Sequence, residues 1–233
     1  MSVSDVRPKK QQMLVGLSGK IGSGKTTLAD LLIAAAGGDG VCCNFADALK
    51  REVANEFGVP LGRCYAQEEK NRAISDTIPL TIGEALQNVG AQRRAEVPSY
   101  WLDRLGESVA ELDARLVIVG DVRHTNEAEW VRERGGLLVR LNGDPGGVRA
   151  ASKRDLQHRS ETELDAYQHF DVTFDTNNTA ADACAGVVFA MLHDRASNDA
   201  ELAAFLLHCT FLAFPTTEKH EIAVSEQVPL PGE

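Results

Sequence analysis

A chain of 233 residues, 43% hydrophobic and 25% charged, suffices for one good-sized domain with a full core, or at most two small ones. Its formal net charge of −10 excludes capture of a nucleic-acid polymer through the bulk field, so any polyanion must be held at a local basic site. No apolar run approaches the roughly 18 residues of a membrane span. The opening MSVSDVRPKKQQ lacks a signal-peptide apolar region, and the five cysteines form no CxxC pair, so a cytoplasmic chain without a membrane partner is expected.

Residues 1–12 read as a flexible arm. Met13–Ser18 is a short apolar run, expected to be a buried strand. It leads into Gly19-Lys20-Ile21-Gly22-Ser23-Gly24-Lys25-Thr26, which matches GxxxxGK[ST] at each fixed position. Thr26–Ala36 is helical and is ended by Gly37-Gly38-Asp39-Gly40, so the motif lies between strand and helix. The chemistry needs these residue types. Gly22 and Gly24 let the backbone curl until its N–H groups face an anion. The positive end of the helix points to the same place. Lys25 supplies a point charge for β- and γ-phosphates, and the Thr26 hydroxyl a ligand for Mg²⁺. The loop alone leaves NTP hydrolysis, GTP switching and kinase chemistry open.

Val41–Phe45 is expected to be a second strand, and Asp47–Phe57 a helix with one buried stripe at 49, 53 and 57. Lys50 on that helix is either solvated surface or a ligand for an acceptor phosphate. Residues 61–80 are polar and irregular and carry Lys70 and Arg72; acceptor-binding and lid residues sit in such segments. Thr81–Gln92 and Tyr100–Leu112 are helical. Arg115–Gly120 is the clearest buried strand, and with Asp121 it resembles a Walker B element. Asp121 would then lie beside the loop, binding Mg²⁺ through water or accepting a proton, or else would cap the turn. Arg123 offers a planar fork suited to phosphate oxygens. Asn126 is expected to cap the helix Glu127–Arg134.

Leu137–Leu141 is the next strand and 142–147 a turn. Residues 148–168 are charged; His158 and Arg159 suggest a lid that closes on phosphates. Asp171–Phe174 is the last strand and Ala180–His193 the last core helix, with Asn177 either in a plain turn or in a loop contacting adenine. Asp199–Phe214 is apolar round much of its circumference and could pack on the core or on a second subunit, which leaves a homodimer open. Residues 215–233, with three prolines, read as a flexible tail. Strands alternating with helices imply an α/β fold, a parallel sheet covered on both faces.

Several segments together carry a resemblance: GLSGKIGSGKTT, FADALKREVANEFGV, EALQNVGAQ with YWLDRL, VGDVRHTNEAE with GGLLVRL, and HRSETELD with FDVTFDTNN. Over roughly residues 13–190 the chain resembles the bacteriophage deoxynucleoside monophosphate kinases. The resemblance implies a P-loop three-layer α/β/α fold like that of nucleoside monophosphate kinases. It implies a domain over 13–195, with a mobile acceptor-binding insertion at about 47–112, a lid at about 146–168 and an extra helix at 196–214. It implies transfer of the ATP γ-phosphate, with Mg²⁺, to a deoxynucleoside monophosphate. Lys25, Asp121 and Arg123 would be catalytic. Gly19, Gly22, Ser23, Gly24, Thr26, Thr27, His158, Arg159 and Asn177 would hold ATP with Lys25, and Thr26 and Asp121 the metal. Lys20, Lys50, Lys70, Arg72, Gln87, Trp101 and Glu127 would surround the acceptor with Arg123; Ser160 and Glu161 would belong to the lid. Gly83 stands where an arginine is expected, and Arg72, Arg93 or Arg94 would supply that charge. The rival reading is a phosphomevalonate kinase-like enzyme; a nucleotide sensor without turnover is a third.

Overall fold

The computed structural model describes residues 11–66, 68–151, 156–196 and 198–213. The flexible arm and tail expected at the two ends fall largely or wholly outside these residues. The apolar runs become five strands: β1 (Met13–Ser18), β2 (Gly40–Cys43), β3 (Leu116–Val122), β4 (Leu137–Asn142) and β5 (Val172–Asp175). They pair in parallel throughout, in the order β2-β3-β1-β4-β5. The strand that feeds the phosphate loop is therefore the central one.

Alternation along the strands sends side chains to two separate cores. Val15, Leu17, Ile118, Val139 and Leu141 pack against Leu28 and Leu32 of α1 (Lys25–Ala35) and Val188, Phe189 and Leu192 of α9 (Ala181–Arg195). Leu14, Val117, Val119 and Leu138 pack on the other face against Leu105 of α5 (Tyr100–Glu111) and Trp130 and Val131 of α6 (Thr125–Glu133). This is the expected three-layer α/β/α arrangement. A third apolar cluster joins α2 (Phe45–Phe57), α3 (Leu61–Tyr65) and α4 (Ile82–Glu96) through Val53, Cys64, Ile82, Ala85 and Val89. It lies within the part read as the acceptor-binding insertion.

Several boundaries differ from the sequence reading for identifiable reasons. The second strand ends at Cys43, because Asn44 caps α2 and the helix starts at Phe45. The third strand runs on through Asp121 to Val122, which pairs with Ser18 of β1. His124, not Asn126, is the N-cap of α6, in a capping box closed by Glu127; the Asn126 amide instead donates to the Pro98 carbonyl at 3.1 Å. The irregular 61–80 segment holds α3, a single 3₁₀ turn at Glu69–Asn71 and a bridge between Ala73 and Thr81. Residues 148–168 contain the short helices α7 (Val148–Ala151) and α8 (Arg159–Thr162). The apolar segment near the end forms α10 (Ala200–Ala213), which packs on α9 and α1 with Leu202, Leu206 and Cys209 buried. No helix among the described residues is long and apolar enough to cross a membrane.

Candidate active site

Parallel pairing brings the carboxyl ends of all five strands to one edge of the sheet, and α1, α2 and α6 are among the helices that start there. Two of their N-termini are closed by the chain's own carboxylates. Asp121 accepts the Phe45 N–H at 2.8 Å and the Ala46 N–H at 3.0 Å, so it caps α2 across the sheet edge. Glu127 accepts the Arg123 and His124 N–H groups at 2.8 and 3.1 Å at the head of α6. The third start, α1, follows Gly24 and carries no side-chain cap. Its first N–H groups are the orphan donors that an anion satisfies.

The loop before α1 is shaped for that anion. Gly22 and Gly24 take φ of 79° and 88°, a region unfavourable for any other residue. A side chain at Gly22 would also run into the Asp144 carboxylate. Ser23 is fully buried under the loop, whereas Thr26 and Thr27 are exposed. The Lys25 ammonium donates to the carbonyls of Gly19 at 2.6 Å and Lys20 at 2.9 Å, which hold it at the loop. A triphosphate fits this donor set: glycine-lined backbone, an uncapped helix and an ammonium, with the exposed Thr26 hydroxyl beside them, while both Asp121 oxygens accept N–H groups of α2. Among the described residues no cluster of three or more His, Cys, Asp or Glu side chains forms a metal site by itself.

Arg123 leaves the end of β3 and is drawn to the loop by Glu161, whose side chain is fully buried. One Glu161 oxygen pairs with the Arg123 guanidinium, and the other accepts the Ile21 N–H at 3.2 Å. Two more acids follow at alternate positions. Glu163 accepts from the Thr125 N–H at 2.9 Å and Arg159 at 2.6 Å and is bonded to His124 Nδ1 at 2.7 Å. Burial opposes its charge, but the His124, Thr125 and Arg159 hydrogen bonds outweigh that and hold its pKa down to about 2. Asp165 binds Lys20 at 2.7 Å and Arg140 at 2.9 Å. Leu164 between them is buried in the second core. The stretch 158–165, read as lid, is thus docked on the loop and on β3–α6.

The remaining residues named from the sequence fall in different places. Lys50 bonds Asp47 at 3.3 Å and lies 4.0 Å above the Tyr65 ring. Lys70 belongs to the 3₁₀ turn, and Arg72 behind it is exposed and paired with Glu69 at 2.6 Å. Gln87 is exposed on α4, opposite the Ala85 and Val89 stripe. Trp101 is buried, and its indole N–H is spent on the Gly90 carbonyl at 3.2 Å. His158 caps α8, and the Asn177 side chain accepts the Asp144 N–H at 2.9 Å. A Cβ at Gly83 would sit 3.0 Å from the Lys70 carbonyl oxygen, so a bulkier residue there would push the Glu69–Asn71 turn aside. Of the arginines considered as replacements, Arg93 is tied to Glu52, while the charge of Arg94 is felt by Glu127 and His124.

Two groups were not singled out in the sequence. The Arg149 guanidinium donates to the Ile21 carbonyl at 2.9 Å and to the Gly143 carbonyl. Asp47 joins the Asn44 N–H, Lys50 and the Tyr65 hydroxyl, the last at 2.9 Å. The N-x-x-D spacing of Asn44 and Asp47 is a capping signal legible in the sequence; Arg149 follows a turn and offers no such signal.

No known protein-family model matches the chain. A protein of Acanthamoeba polyphaga mimivirus described as "Putative deoxynucleotide monophosphate kinase" is 29% identical over 181 residues, 72% of this chain and 90% of the viral protein. The chain is a homologue of that viral protein. The resemblance read from the sequence segments thus stands. Among solved structures, shikimate kinase from Acinetobacter baumannii in complex with shikimate is 17% identical, covering 82% of this chain and 97% of that one, with a TM-score of 0.44. Shikimate kinase from Aquifex aeolicus is 16% identical, covering 79% and 99%, with a TM-score of 0.42. The assignment as a P-loop α/β/α fold rests on the strand order, the two core layers and the loop itself.

Proposed function

We propose that the chain is an ATP-dependent deoxynucleoside monophosphate kinase, transferring the γ-phosphate of ATP to a deoxynucleoside monophosphate to give the diphosphate and ADP. The observation that carries the reading is the junction of the uncapped P-loop helix with Arg123 through Glu161, because it sets a second cation beside the phosphate cradle. The kinship with the viral protein supports the choice of acceptor.

Transfer between two anions needs positioning and neutralisation of charge more than covalent help. Lys25 and the α1 N–H groups would hold the donor phosphates, and Arg123 would balance charge on the group in transit. Lys50, Lys20 and Arg94 would be the cations for the acceptor phosphate. A bound Mg²⁺, held by Thr26 and by Asp121 through water, would supply further neutralisation. The docked 158–165 stretch would exclude water that otherwise hydrolyses ATP.

The test is a coupled ADP assay with ATP and Mg²⁺ over a panel of deoxynucleoside monophosphates, ribonucleoside monophosphates, mevalonate 5-phosphate and shikimate. Turnover confined to the deoxynucleotides is expected; turnover with another acceptor alone, or with none, overturns the reading. Lys25→Ala should lower transfer by about 10²–10³-fold, with a thermal midpoint within a few degrees of wild type.

A further inference from the structure

Glu161 is buried on a carboxylate that spans two parts of the phosphate site. One oxygen grips NH1 of Arg123, and the other receives the Ile21 N–H of the loop at 3.2 Å. The Ile21 carbonyl in turn accepts from Arg149 at 2.9 Å. NH1 of Arg123 also donates to the Ser160 carbonyl at 3.2 Å, whereas its Nε and NH2 meet no acceptor among the described residues. The Arg123 side chain is 23% exposed. One arm of the fork is therefore fixed and the other edge is left for an anion. A long arginine otherwise has many rotamers to lose when it binds, and fixing it beforehand removes that cost.

We propose that Glu161 is a positioning residue for phosphoryl transfer: its single carboxylate locks the Arg123 fork to the Ile21 peptide of the P-loop, so that cation and cradle meet the terminal phosphate as one unit. This rests on the P-loop and Arg123 serving phosphate binding, as above, and not on the identity of the acceptor. The opposing possibility is that the carboxylate stands in the place of a phosphate and must be displaced by it. The two differ in sign: removing a positioning group weakens binding of a terminal phosphate, and removing a competitor strengthens it.

Full-length Glu161→Gln, Glu161→Asp and Arg123→Ala are compared with wild type by calorimetric titration with ADP and with the non-hydrolysable analogue AMP-PNP, by thermal unfolding and by transfer kinetics. Glutamine can accept from Ile21 or from Arg123, but not from both without facing its NH₂ toward a donor. Aspartate keeps the charge and is one methylene short of the span. Affinity for AMP-PNP should fall about 5–20-fold in both Glu161 variants while ADP affinity stays within about 3-fold, and kcat should fall at least about 10-fold with KM for ATP changing less. Arg123→Ala should show the same selective loss, and adding Glu161→Gln or Glu161→Asp to it should cost little more, as coupled residues do. An unchanged AMP-PNP to ADP ratio in a folded Glu161 variant, equal loss of both nucleotides, or tighter AMP-PNP binding would overturn the proposal. Should Glu161→Gln not fold, the aspartate variant and its cycle with Arg123→Ala decide on the same ratios. These ratios are read without acceptor, so an acceptor panel that shows no deoxynucleotide turnover would strike the function and leave this result standing.

Discussion

Glu127 shows what burial does to a single carboxylate. It is 3% exposed, and removal from water together with the nearby Asp121 charge pushes its pKa up to about 8 from the ordinary 4.5, despite two backbone N–H bonds that favour the anion. Burial likewise raises Asp121. Between about 4.5 and about 8 the unfolded chain has released the Glu127 proton and the folded chain keeps it. Folding then binds more protons than unfolding does, so stability from this group declines as pH rises through that window. Glu127→Gln retains an oxygen for the cap and cannot ionise. Urea unfolding from pH 5 to pH 8 should show a flatter profile for the variant and a gain over wild type at the alkaline end; parallel profiles would count against this account. The Glu127 cap also shows why Asn126 misleads: asparagine is the stronger intrinsic cap, and only the reciprocal His124–Glu127 pair places the helix start two residues earlier.

At the scale of elements, the sequence showed every strand and the long helices, because a parallel sheet covered on both faces writes apolar runs separated by helical periods. It located their ends less well. That β3 continues through Asp121 depends on its pairing with β1, about which residues 115–122 carry no local mark. The acid staircase at 161, 163 and 165 was equally hidden: the Lys20–Asp165 contact joins residues 145 apart, and a charged run reads locally as solvated surface. α10 is the reverse case. Its apolar circumference was plain, and packing on α1 and α9 accounts for one side of it, while Leu207 and Leu212 remain exposed. Leu206 is wholly buried there, so Leu206→Ala should cost about 2–5 kcal/mol in chemical denaturation. A loss under about 1 kcal/mol would mean that α10 is not part of the cooperative unit. Because α10 rests on α1, whose first residue is Lys25, the same variant should also weaken ATP binding.

For the molecule as a whole, motif and chain order were enough to foresee the phosphate cradle, since the loop chemistry is local. The proposed acceptor side was less legible, because its candidate residues come from the P-loop, α2, the 3₁₀ turn, α4, α5 and the β3–α6 junction, and only folding decides which face the edge. Trp101 and Gln87 illustrate this: α5 carries one into the interior and α4 the other to the solvent.

Of α1, α2 and α6, which begin at the sheet edge, the chain closes two with Asp121 and Glu127 while leaving α1 open. The first N–H groups of α1 are left to an anion from outside the chain, which a bound nucleotide would supply. Occupancy and folding become linked equilibria: at about 100 times its dissociation constant, a ligand bound only by the native state adds about 2.7 kcal/mol. ADP or ATP should accordingly raise the melting temperature by several degrees, and Lys25→Ala should abolish most of that rise. A protein so arranged would be sturdiest when nucleotide is abundant, and its persistence would become a readout of the nucleotide pool around it.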